Sequence, residues 1–234
     1  MKSKPKLLSL LDAFTIATLL IATALVFFYA PVERVMGAVQ KVFYFHVAAA
    51  WVGMLGFMVA AIAGILYLIK NRMIYDVAGA AAVEISLVFF FAAIVMGSIW
   101  ARPTWNTWWT WDPRLTTAAI VELIYAAYVM LRRGLEDPEQ RARLSAVYAI
   151  LGFISVPMTF ISIRMLRTIH PVVVGVGGAA GDSSGGFNMV PSMVQTLLFS
   201  IAAFSVLFGD LLWHRVRLGK LAKRVETLRA KLTQ

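Results

Sequence analysis

The chain has 234 residues, 60% of them hydrophobic and only 15% charged, with a mean hydropathy of +0.77, which excludes an ordinary soluble domain. A formal net charge of +10 would point to nucleic acid in a soluble protein, but here the basic residues sit between apolar stretches, where they orient helices in a bilayer, and no nucleic-acid partner is expected. There is no cysteine, so disulfides, thiolate ligands and thiol redox steps are excluded, and any metal must use His, carboxylate or Met.

Six stretches are long and apolar enough to cross a bilayer: 13–30, 46–69, 78–99, 115–131, 144–163 and 191–213. Backbone polar groups must be satisfied within lipid, so these are helices. The expected fold is an all-α membrane protein: a six-transmembrane-helix bundle over residues 1–214, then a basic amphipathic tail at 215–234. The first stretch follows a basic start and could pass for a signal peptide with Ala22 to Ala24 near a cleavage point, but its apolar run spans a membrane and reads as retained.

The basic residues fall into alternate loops. Lys2, Lys4, Lys6, Lys70, Arg72, Arg132, Arg133, Arg141, Arg143 and seven cations from Arg215 to Lys231 share one side, against Arg34, Lys41, Arg102, Arg114, Arg164 and Arg167 on the other. By the positive-inside rule both termini are cytoplasmic. His46 and His170 then share the outer face with the segment 100–116, while His214 lies at the cytoplasmic end of the last span.

Taken in order, His46 opens the second span in VFYFHVAAAW, and the third span ends in WARPTWNTWWTWDPRLT. That segment holds five of the chain's seven tryptophans: Trp100, Trp105, Trp108, Trp109 and Trp111. An interfacial aromatic belt accounts for Trp100 alone. Five indoles with Pro103, Asp112, Pro113 and Arg114 suit a large flat apolar ligand with a polar edge. Asp112 before Pro113 reads as the cap of the fourth helix. Glu84 and Glu122 lie within spans without an evident role. The connector 132–143 reads as solvated and carries no assigned chemistry.

His170 follows in RTIHPVV. Two outer histidines and no cysteine could supply both axial nitrogens of a six-coordinate haem. Its propionates would need cations, for which Arg102, Arg114, Arg164 and Arg167 are candidates. The glycine-rich run 175–186 lacks the Gly-Lys-Ser/Thr ending of a phosphate loop and reads as a flexible segment, a lid or a contact for a visiting protein. The tail places Leu218, Leu221, Val225, Leu228 and Leu232 on one helical face, for a membrane surface or for a partner protein.

The motif WNTWWTWD, from Trp105 to Asp112, together with FYFHVAAAW and TIHP, resembles the haem-handling protein family of cytochrome c biogenesis, with its Trp-rich WWD motif, and within it the cytochrome c maturation protein C family. The resemblance covers nearly the whole chain, departing at Asn106, where the family has Gly. It implies a site on the periplasmic side of a bacterial inner membrane that binds haem b transiently, with His46 and His170 as axial ligands and the motif tryptophans around it. It also implies delivery to the periplasmic haem chaperone, protein E of the pathway. Further implied partners are the ATP-hydrolysing component of an ABC exporter (protein A), the exporter's membrane component (protein B) and the small membrane protein D. Haem binding and transfer is expected rather than independent catalysis, with ATP hydrolysed by a partner. A permease for another amphiphile predicts more mid-span polarity than Glu84, Ser86 and Ser155, and a purely structural component of a membrane complex leaves the tryptophans unexplained.

Overall fold

The computed structural model describes residues 4–32, 36–166, 170 and 189–232, with the side chains of Ile163, Arg164 and several tail residues outside that description. The described elements are the helices α1 (Lys6–Ala24, extended by a wider turn at Leu25–Tyr29), α2 (Gln40–Lys70), α3 (Met73–Trp105), α4 (Pro113–Gly134), α5 (Pro138–Phe153), α6 (Ser155–Met165) and α7 (Pro191–Leu232). Six helical segments are long and apolar enough to cross a membrane, α5 and the start of α6 acting as one. The all-helical, six-span expectation is met.

Local chemistry explains the boundaries. Asn71 ends α2 in the left-handed region at φ 46°, its N–H donating to Tyr67 O at 2.8 Å, so α3 returns antiparallel after two residues. Asp112 and Asp137 cap α4 and α5, each followed by proline at the first helical position, and accept from Leu115 N (2.9 Å) and Gln140 N (2.6 Å). Pro157 has no N–H to offer the carbonyl four residues earlier, and the fifth span breaks there, between Phe153 and Ser155.

One boundary differs from expectation. The loop expected over 100–116 is helical as far as Trp105, with Pro103 lying inside the last turn of α3. The last helix runs without interruption from the final span to Leu232, so the tail's hydrophobic stripe belongs to one 42-residue helix.

The helix α2 lies at the centre, packed along α3 and against α5 and α7. The approach is close because Gly56 has no side chain: a Cβ there would overlap Ser86 Oγ and sit 2.8 Å from Phe208 Cε2. Phe57 of α2 stacks on Tyr125 of α4, with centroids 3.7 Å apart, joining α2 to α4 in the main core. A second cluster, with Val26, Tyr44, Trp100 and Leu197, closes the end where α2 begins.

The opposite end holds three ion-pair groups among the described residues. Arg132 grips Asp76 through both nitrogens, at 2.5 and 3.1 Å, and Arg215 grips Glu84 at 2.6 and 3.0 Å. His214 Nε2 is 2.8 Å from Asp12 Oδ1, and Lys4 also contacts the Asp12 carboxylate. Glu84, which showed no evident role in sequence, is thus the partner of a cation on α7.

Candidate ligand site between two histidines

A cleft near the start of α2 has about 700 Å³ of empty space, its open mouth included. Its walls come from α2 (His46, Met54), α3 (Phe90, Gly97, Trp100, Trp105), the following loop (Trp109) and α4 (Arg114, Leu115), with Thr159 and His170 completing it. Each element arrives for a local reason. The antiparallel turn at Asn71 sets α3 beside α2, and the Asp112 cap starts α4 directly after the tryptophans.

His46 is held by one turn of α3. Its Nδ1 lies 2.7 Å from the carbonyl oxygen of Ala93. A carbonyl only accepts, so Nδ1 carries the hydrogen and Nε2 keeps its lone pair, the arrangement that orients a ligating imidazole. The ring reaches that carbonyl because residue 97 is glycine: a Cβ there would be 2.9 Å from His46 Cε1 and 3.2 Å from Nδ1.

His170, 124 positions later in the chain, faces it. The imidazole centroids are 6.4 Å apart with planes inclined by 41°. Metal–imidazole bonds of about 2.0–2.1 Å, plus roughly 1 Å from nitrogen to ring centre, put the centroids of two rings ligating one ion from opposite sides about 6 Å apart. Trp105 meets His170 edge to face at 6.3 Å and Trp100 at 5.5 Å.

The five tryptophans divide. Trp100, Trp105 and Trp109 line the cleft, whereas Trp108 and Trp111 are 58% and 77% exposed. Trp109 Nε1 is buried without a hydrogen-bond acceptor among the described residues. Asn106 turns the chain between Trp105 and the three later tryptophans at φ 55°, a conformation asparagine tolerates where glycine is the usual choice.

The arginines divide too. Arg114 lines the cleft, donates to Thr159 O at 2.9 Å, lies over the Phe160 ring at 5.3 Å, and forms no ion pair among the described residues. Arg102 instead clamps Asn106, at 2.6 Å to its carbonyl and 2.8 Å to Oδ1, and lies 6.0 Å from the Trp108 ring centre. The Arg164 side chain and all of Arg167 lie outside the described residues, as does the glycine-rich run 175–186.

Gly97 and Thr159 are site residues that the sequence reading missed. Gly97 lies four residues after Ala93 and one turn before Ala101, and only its distance to His46 distinguishes it from the other small residues of the spans. Among the described residues, the donor set fits a bis-imidazole metal centre with a flat apolar surround and a cation, Arg114, in its wall.

A family profile described as Heme exporter protein C matches residues 1–231. The chain is similar to proteins of that name from Bradyrhizobium diazoefficiens (35% identical, covering 80% of this chain and 73% of the relative), Rhodobacter capsulatus (32%, covering 97% and 92%) and Escherichia coli K12 (29%, covering 82% and 74%).

Proposed function

The chain belongs to the Heme exporter protein C family, and we propose that it works in haem handling for cytochrome c biogenesis by holding haem b between His46 and His170 at the periplasmic face of a bacterial inner membrane. The observation that carries this reading is the facing imidazole pair, 6.4 Å between centroids, beside Trp105. Haem would be held through its iron by the nitrogens of His46 and His170, and the protein supplies their orientation. His46 offers Nε2 because Ala93 holds its other nitrogen, and Trp100, Trp105 and Trp109 provide flat apolar surface. Arg114 and Trp109 Nε1 are the groups suited to a propionate.

The exposed Trp108 and Trp111 would form the rim from which the cargo, with a vinyl edge outward, passes to the haem chaperone, protein E. The remaining partners are the ATPase (protein A), the membrane component (protein B) and the small membrane protein D of an ABC-type export system, with ATP hydrolysed in that assembly. The alternation of basic loops supports cytoplasmic termini, with the cleft on the other side.

The test is the visible spectrum of the purified protein, with and without these partners, before and after dithionite. Bis-imidazole bands lost in both outer-histidine variants support the reading, and protein free of haem under every condition overturns it.

A further inference from the structure

At the end of the bundle opposite the two histidines a second cavity lies between α3, α4 and α5, with about 610 Å³ of empty space, its open mouth included. It is lined by Glu84, Tyr128, Arg132, Arg133 and Arg141 with small apolar neighbours. Read in sequence, the segment 132–143 is a solvated connector, yet Arg132 and Arg141 are only partly exposed and three arginines line one cavity.

The charges in this cavity do not cancel among themselves. Asp76 already holds Arg132 through both oxygens, and Glu84 is engaged through both oxygens by Arg215 from outside the cavity wall. Arg133 and Arg141 are left with no ion pair among the described residues, although Glu136, Asp137 and Glu139 stand in the same connector. Asp137 is turned to its own task of capping α5. The Arg141 Nε is buried and has no acceptor among the described residues, a costly state for a charged donor.

The position says what kind of acceptor would fit. Arg132 and Arg133 are in the last turn of α4 and Arg141 is in the first turn of α5, so the cavity lies where two spans leave the membrane. Basic pockets between helices at this depth suit the phosphate of an anionic lipid headgroup, which guanidinium can bind bidentately. We propose that this cavity binds a phosphate oxyanion, with Arg133 and Arg141 as its ligands and Arg132 held in place by Asp76 at its side. Its source is an anionic phospholipid such as phosphatidylglycerol, or free phosphate from solution.

The test uses the full chain purified in neutral detergent and counts bound phospholipid by native mass spectrometry after titration with phosphatidylglycerol, phosphatidylcholine or inorganic phosphate. One phosphatidylglycerol is expected to bind saturably, roughly fivefold more weakly in Arg133→Gln and in Arg141→Gln and more than tenfold more weakly in the double variant. Binding of inorganic phosphate alone, lost in the same variants, assigns the same site to a ligand from solution. Arg133 is exposed, so Arg133→Gln keeps the packing and answers the question even where Arg141→Gln does not fold. Equal binding of phosphatidylglycerol and phosphatidylcholine, or undiminished binding in the double variant, overturns the proposal.

Discussion

The ring of His46 occupies the space that a side chain at Gly97 would fill, with an added Cβ only 2.9 Å from Cε1. The same turn of α3 supplies the Ala93 carbonyl that accepts from Nδ1. Gly97→Ala should therefore push the ring off that carbonyl and weaken haem retention about tenfold, the equivalent of one lost hydrogen bond of roughly 1–1.5 kcal/mol. Haem titration followed by absorbance checks it; unchanged affinity would show that the ring is not oriented by α3.

The three histidines should behave differently. His46→Ala and His170→Ala each remove a candidate axial nitrogen and should weaken retention more than the roughly 10–100-fold typical of losing an outer-shell partner. Added imidazole should restore part of the six-coordinate spectrum. His214→Ala, whose partner is Asp12 at the other end of the bundle, should leave the spectrum as it was. Equal loss from all three changes would remove the basis for pairing His46 with His170.

Asp76 and Arg132 are buried together, with side-chain exposures of 6% and 17%. Removing one partner strands the other charge, so Asp76→Ala should cost about 3–5 kcal/mol. The thermal midpoint in detergent measures it. Replacing both by apolar residues of similar volume should recover most of the loss.

Glu122 carries a buried carboxyl oxygen with no hydrogen-bond partner among the described residues. Glu122→Met should raise stability by about 1–2 kcal/mol, because it removes a buried unsatisfied polar atom. A lower unfolding midpoint would show that the carboxyl is satisfied within the chain.

Asn106 sits at φ 55° beyond the end of α3. Asn106→Gly should be near neutral, the unstrained left-handed φ offsetting the lost Arg102–Oδ1 bond, whereas Asn106→Val loses that bond and adds about 1–2 kcal/mol of backbone strain, shifting the backbone beside Trp108. Tryptophan fluorescence distinguishes the two variants.

Hydropathy by itself determined the six spans, because a bilayer imposes a minimum apolar length and forbids unsatisfied backbone whatever the packing. The helix starts at Asp112-Pro113 and Asp137-Pro138 were equally legible, since caps act over three or four residues. The left-handed turn at Asn106 could be anticipated from one departure in one motif. Other features depended on which helices touch. Five tryptophans in one segment gave no sign that three would face the cleft and two the surroundings, because α3 continues to Trp105 and its rotation is set by packing on α2. The connector 132–143 looked solvated because its charges are dense, yet Asp76, 56 residues before Arg132, draws that side chain inward. Glu84 and Arg215 are 131 positions apart, and His46 and Gly97 are matched only through the spacing of two helices. Span length and capping are local properties of the chain, whereas side-chain pairing depends on helix rotation and separation, which the tertiary structure alone decides.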